Sequence, residues 1–350
     1  MDPLKIDTVK LSDAGDALVI IDQTLLPNEV RYLSLTAIED IWEAIRALHV
    51  RGAPAIGVAA AFGAYLAAYY APDAELEGRF LAACDYLATS RPTAVNLFWA
   101  LDRMRAAYGR VKALPPADIR AALRAEAQAV MDEDIEISRS IGRYGLSLLR
   151  PGMGILTHCN AGTLATAKYG TALAPVYAAI ERGLPGLRVY CDETRPLLQG
   201  ARLSAFEMVS AGVDTTLLCD NMASSLMKSG KVDIIFVGCD RVARNGDAAN
   251  KIGTSGVAIL AAHYGIPFYV CAPSSTIDGA IASGADIPIE FRPPEEVTEL
   301  WYEKRMAPEG VGVYNPAFDV TDAGLITGII TERGLVRAPF EEGFRALGLV

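Results

Sequence analysis

Apolar and polar positions change rhythm near Pro151. Upstream, a short β-type start with a run from Ala17 to Ile21 gives way to long stretches rich in Ala, Leu and Arg. Their spacing predicts helices over 36–48, 54–71, 74–89, 94–112 and 116–148, punctuated by Pro115, Pro116 and Pro151. Downstream, short apolar runs from Gly154 to Thr157, Leu187 to Cys191, Thr215 to Cys219, Val232 to Val237 and Pro267 to Cys271 alternate with helical stretches near 163–182, 200–211, 221–229 and 249–264. That alternation predicts βαβ units. The expected fold is α/β: a C-terminal Rossmann-like domain (151–350) with five parallel strands and helices on both faces, preceded by a smaller, mostly helical N-terminal domain (1–150) with a β-rich start. Residues 273–350 show no legible order of elements.

A chain of 350 residues has room for two such domains, and 51% hydrophobic residues exclude a disordered protein. A net charge of −10 supplies no general attraction for nucleic acid or an anionic membrane, so neither is expected as a partner, and an anionic ligand must be gripped locally. The opening MDPLKIDTVKLSD has no basic run followed by an apolar core, which points to the cytoplasm. Gly52 to Pro72 carries no charge and approaches the length of a membrane span, but its Ala, Gly and Tyr content favours a buried helix. Trp42, Trp99 and Trp301 sit among apolar neighbours and read as core. The six cysteines form no CxxC pair and the three histidines no HExxH, so neither a disulfide framework nor a metal site is expected. Walker A and GxGxxG patterns are also missing, and no cofactor is expected.

In a parallel sheet ligands bind beyond the carboxyl ends of the strands, and four of those ends carry polar groups. They are His158-Cys159-Asn160, Asp192-Glu193-Thr194-Arg195, Asp220-Asn221 and Cys239-Asp240-Arg241. Asp240 follows the apolar run IIFVGC, so its carboxyl is expected at a low-dielectric border where it holds a proton to donate; the plainer reading is an Asp that caps a turn. Cys159 precedes Asn-Ala-Gly-Thr and a helix start that favours a thiolate or a bound anion. Cys84, Cys191, Cys219 and Cys271 read as small buried hydrophobes. Arg51-Gly52-Ala53-Pro54 and Arg91-Pro92-Thr93 open helices, and Asn250-Lys251 is expected to open another; cations at helix starts imply an anion such as phosphate between them. Gln199 offers a neutral amide to sugar hydroxyls.

The words RGAPAIG (51–57), RPTAVNL (91–97), THCNAG (157–162), ETRPLLQGARL (193–203), CDNMASSLM (219–227), GCDRVARNGDAANKIGT (238–254) and APEGVGVYNPAFDVT (307–321) resemble, in the same order, the methylthioribose-1-phosphate isomerase family of methionine salvage. The resemblance implies that Asp240 is the proton donor, that Cys159 stabilises the transition state, and that Arg51, Gly52, Ala53, Arg91, Gln199, Asn250 and Lys251 contact substrate. Cys239 and Ser204 depart from the family's usual Ala and Thr without removing a functional group. The implied reaction is 5-methylthio-ribose 1-phosphate to 5-methylthio-ribulose 1-phosphate, an aldose to ketose isomerisation by a cytoplasmic homodimer, with 5-deoxyribose 1-phosphate as a second substrate. Two alternatives stand beside it: a ribose 1,5-bisphosphate isomerase, and a non-enzymatic, sugar-phosphate-sensing subunit of the kind that regulates the translation-initiation exchange factor.

Overall fold

The structure, a computed structural model, describes residues 6–92 and 94–350; Thr93 and the first five residues of the N-terminal stretch lie outside the described residues. The chain divides into two compact units. The helical unit holds the described residues up to Glu136 together with Thr163–Gly170; the sheet unit holds Ile137–Gly162 and Thr171–Val350.

The helical unit starts with an antiparallel meander of β1 (Val9–Leu11), β2 (Leu18–Ile21) and β3 (Tyr32–Leu35). Helices α1 (Ile38–Arg46), α2 (Ala53–Tyr70), α3 (Leu76–Ala88), α4 (Val95–Val111) and α5 (Pro116–Leu146) follow, close to their expected spans. The uncharged α2 is the hub: 13 of its 18 residues are buried, and it packs against α1, α3 and α4. Its small residues permit this, since a Cβ on Gly57 would stand 3.0 Å from the Asn96 carbonyl oxygen of α4. It is apolar and long enough to cross a membrane, but 72% of it is buried inside the protein core.

The sheet unit is built on β4 (Gly154–Thr157), α6 (Ala174–Glu181), β5 (Arg188–Asp192), α7 (Ala205–Ser210), β6 (Asp214–Leu218), α8 (Ala223–Lys228), β7 (Ile234–Val237), β8 (Arg241–Ala243), β9 (Ala248–Lys251), α9 (Thr254–Tyr264) and β10 (Phe268–Cys271). Beyond these come β11 (Ile277–Asp278), α10 (Glu295–Thr298), β12 (Phe318–Thr321), β13 (Gly328–Thr331), β14 (Gly334–Val336) and α11 (Phe340–Ala346). The main sheet has the order β14-β13-β10-β7-β4-β5-β6, parallel except for β14. All five expected strands are present, and β13 and β14 come from the segment whose order was illegible. From β4 the chain steps outward to β5 and β6, then returns to lay β7 on the other side of β4. That reversal makes the carboxyl ends of β4 and β7 a topological switch point, the place where parallel sheets bind ligands. A smaller sheet, β11-β8-β9-β12, follows β7 directly.

Several expected elements take other forms. Residues 248–251 are strand β9, held between β8 and β12, so Asn250 and Lys251 do not open a helix; α9 starts at Thr254. The stretch 163–182 contains a short 3-10 turn (Thr163–Ala165) and, only later, α6. The stretch 200–211 begins as a π-helix, Gly200–Ser204, before α7. Trp99 and Trp301 are exposed rather than core, each lying under a guanidinium, Arg103 at 5.5 Å and Arg202 at 4.7 Å, which satisfies an aromatic face at the surface.

Candidate active site

Cys159 stands two residues past β4, at the switch point, and its backbone is in the left-handed region with φ +66°. Two neighbouring segments hold it there. Its N–H donates to Thr194 Oγ1 at 2.8 Å, and its carbonyl accepts from Ser204 Oγ at 2.7 Å. Thr194 itself has φ +63°, rare for a β-branched residue, and its hydroxyl passes a hydrogen bond to the Asp192 carbonyl at 3.1 Å. Asp220 fixes that turn, its two carboxylate oxygens accepting the Thr194 and Arg195 N–H groups at 2.8 Å each. Behind Cys159, Asn160 donates to Ser204 Oγ (3.1 Å) and to the buried Glu207 carboxylate (2.8 Å), which also accepts from Tyr177 at 3.1 Å. A Cβ on Gly162 would collide with Glu207, so glycine is needed in THCNAG to seat this acceptor.

Beside Cys159 the His158 ring is enclosed, 1% exposed, between Asp192 and the Ile252 carbonyl. Burial on its own would depress the imidazolium, but the hydrogen bond from Asp192 and the charges of Asp192 and Asp220 outweigh it and hold His158 above its ordinary value. Burial likewise pushes the Asp192 carboxyl up, with His158 pulling against it.

Asp240 stands past the end of β7, with its N–H on the Ala249 carbonyl at 2.9 Å. β7 is fully buried, but the Asp240 side chain is exposed. The expected low-dielectric setting is therefore not found: the chain turns out of the sheet after Gly238 and enters the β8–β9 hairpin, carrying the carboxyl outward. Its neighbour Cys239 is the shielded group, its thiol pushed well above the ordinary range by burial and lying 3.6 Å from the Ala249 carbonyl. A competing thiolate at Cys239 is thereby disfavoured. Cys84, Cys191 and Cys271 are buried as expected, whereas Cys219 is only partly so.

Gln199 is buried, and its Oε1 has no hydrogen-bond partner, an open acceptor of the kind a hydroxylated ligand satisfies. Asn250 is buried and donates to Thr254 Oγ1 at 3.0 Å. Lys251 reaches the Ala317 carbonyl at 3.0 Å over the Phe318 ring. At the α9 start beside them, Asp319 of β12 takes the Gly253 and Ser255 N–H groups at 2.8 and 3.1 Å. Two of the N–H groups at that helix start are therefore already taken by a side chain of the protein itself.

In the helical unit, Gly52 (φ +91°) precedes α2, whose first turn contains Ala53 and Pro54 and has no side-chain cap. A Cβ on Gly52 would collide with the main chain of Ala165, so this word needs glycine for packing as well as for its dihedral. Arg51 lies just before this start, and Arg91 lies four residues before α4.

Sequence spacing placed His158, Asp192, Thr194 and Asp220 at strand ends without joining them. Their pairing depends on β4 and β5 being adjacent, which only the sheet order reveals.

Cys159 and Asp240 thus stand past the ends of adjacent strands β4 and β7, on the two sides of the switch point. Residues 49–338 match the initiation factor 2 subunit family, and the chain belongs to it. Within that family the chain is 66% identical over 348 residues to a methylthioribose-1-phosphate isomerase of Symbiobacterium thermophilum, covering 99% of this chain and 97% of the relative. It is 56% identical over 342 residues to a 5-deoxyribose 1-phosphate isomerase of Petrotoga mobilis, covering 97% and 98%. The crystal structure of 5-methylthioribose 1-phosphate isomerase from Pyrococcus horikoshii superposes with a TM-score of 0.94 at 44% identity, covering 99% and 97%.

Proposed function

We propose that this protein is an aldose–ketose isomerase that converts 5-methylthio-ribose 1-phosphate to 5-methylthio-ribulose 1-phosphate in methionine salvage, and that it also accepts 5-deoxyribose 1-phosphate. The observation carrying this reading is that Cys159 and Asp240 stand just past the ends of adjacent parallel strands, on the two sides of the switch point, in a chain matched over its length by isomerases of both names.

The chemistry follows from the substrate. The phosphate ester blocks the oxygen through which an ordinary aldose opens, so the ring oxygen must receive a proton as its bond to C1 breaks. Asp240 gives that proton. Hydrogen then moves from C2 to C1, either with its electron pair, the C2 hydroxyl losing its proton as the ketone forms, or as a proton leaving C2 and another adding to C1 of the resulting enol as the C2 hydroxyl loses its proton, and the Asp240 carboxylate is reprotonated. Asp240 is exposed in the protein alone. By the resemblance to the family, Cys159 stabilises the transition state, and Gln199, Asn250, Lys251, Arg51, Gly52, Ala53 and Arg91 are substrate contacts. No metal or cofactor is required by this scheme.

A hydrophobic pocket separates methylthio from methyl by about 1–3 kcal/mol, which is why dual use is part of the reading. The test is turnover measured side by side on the two 5-substituted sugars and on ribose 1,5-bisphosphate. Preference for the bisphosphate would overturn the substrate assignment, and no ketose from any of them would favour a sensing subunit. The reading includes a cytoplasmic homodimer, supported by an exposed sheet edge: β6 shows Leu217 to solvent, α7 beside it shows Val209, and Met222 follows.

A further inference from the structure

His158 is buried where three segments meet. Its Nδ1 lies 3.0 Å from Asp192 Oδ2 of β5, its Nε2 lies 2.8 Å from the carbonyl oxygen of Ile252 after β9, and Asp220 Oδ1, after β6, lies 4.0 Å from Nδ1. A carbonyl only accepts, so Nε2 carries a hydrogen. One proton then sits between Nδ1 and Asp192, on the ring or on the carboxyl. Asp220 bears on the matter: its two oxygens accept the Thr194 and Arg195 N–H groups, and it lies 4.0 Å from Nδ1, where an acid favours a positive ring.

We propose that His158 is a standing imidazolium that acts as a positioning residue, clamping the Lys251–Gly253 turn to the strand ends that carry Cys159 and Thr194. The turn is shaped for this. Gly253 has φ +102°, and a Cβ there would come within 2.8 Å of the His158 ring, so the backbone lies against the imidazole itself. Asp192 is 0% exposed, and its Oδ1 has no partner, so loss of the ring's charge would strand a buried carboxylate. A divalent cation held by this cluster would need an unprotonated ring nitrogen, and neither is available once both donate. Glu193 and Cys191, on either side of Asp192 in the chain, are further titratable groups beside the pair.

The decisive experiment is long-range ¹H–¹⁵N NMR of the full chain labelled at histidine, with His158 identified by its loss in His158→Gln, or by elimination using His49→Gln and His263→Gln if that variant does not fold. Both His158 ring nitrogens are expected to be protonated from about pH 6 to about pH 9. A ring protonated on one nitrogen, or one whose signals move on adding Zn²⁺, would overturn the proposal. The kinetic arm rests on the isomerase reading. His158→Gln and Asp192→Asn each lower kcat/KM by roughly tenfold to a hundredfold in folded protein, and the double variant, with an amide pair and no stranded charge, recovers part of that loss. Wild-type kinetic constants in both single variants would rule out a positioning role, whereas a wild-type protein that isomerises no sugar phosphate would defeat the functional reading and leave the NMR result standing.

Discussion

Cys159 occupies a backbone conformation that costs about 1–3 kcal/mol for a residue with a side chain, and the Thr194 and Ser204 hydrogen bonds hold it there. Serine fits the same backbone, so Cys159→Ser isolates the thiol: kcat falls roughly 10²–10³-fold with little change in melting temperature. Asp240→Asn removes the proton but not the shape, and turnover drops roughly 10²–10⁴-fold while calorimetry still detects sugar-phosphate binding. Near-normal rates in either variant would take that side chain out of the chemistry. The strand-end positions of both residues were legible in the sequence, because each follows an apolar run; the setting of Asp240 was not, since an outward hairpin leaves no hydrophobic trace. In the helical unit, Asp134 shows the opposite concealment. It reads as one more acid on a charged helix, yet its carboxyl is enclosed and accepts the Ala167 N–H at 2.6 Å, and burial pushes it up to about 7 against that bond. Between about pH 4 and pH 7 the folded chain therefore holds a proton that the unfolded chain releases, so stability falls as pH rises through that window. Chemical unfolding should show a difference between wild type and Asp134→Asn that grows by on the order of 1–4 kcal/mol between those limits; a pH-independent difference would refute the burial of this carboxyl.

Elements carried by strong periodicity, α1 to α5 and the five expected strands β4, β5, β6, β7 and β10, fall near their expected places because pattern and packing agree there. β9 defeated the pattern. AANKIGT reads as a helix start since Ala and Lys are good helix formers, but pairing on both sides, with β8 and β12, overrides that propensity. The π-helix Gly200–Ser204 was equally invisible, and its cause is local: Gly200 lies so close to the Asp192 carbonyl oxygen that a Cβ would overlap it. Gly200→Ala must push this turn off the end of β5, with an expected loss of about 3 kcal/mol or more and a matching loss of activity, since the turn carries Gln199 and Ser204. Gly256 is the control. It is exposed in α9, and a Cβ added there would meet nothing within 4 Å, so Gly256→Ala raises stability by about 0.5–1 kcal/mol. Denaturant midpoints that rank the two variants the other way would contradict the packing described for this turn.

At the scale of the whole molecule, the parallel sheet has two unlike edges. β14 closes one antiparallel to β13 and is followed by α11, which packs on it. At the other edge β6 alternates poorly: Asp214, Thr216 and Leu217 are all exposed, and only Leu218 is buried. An unpaired edge with an apolar residue on it invites association, and soluble proteins ordinarily blunt such edges with charge. Val209 and Met222, 64% and 51% exposed, extend the apolar character on either side in sequence. A homodimer formed across this edge removes the liability, and the acidic net charge of the chain does not oppose it where the edge itself is nearly uncharged. Sedimentation of the wild-type protein at micromolar concentration should therefore give a dimer. Leu217→Lys, which sets two like charges against each other across a two-fold contact, should shift the equilibrium to monomer by tenfold or more in Kd, or about 1.4 kcal/mol. A dimer of undiminished affinity in that variant would place the contact elsewhere on the surface, and a monomeric wild type would remove the homodimer altogether.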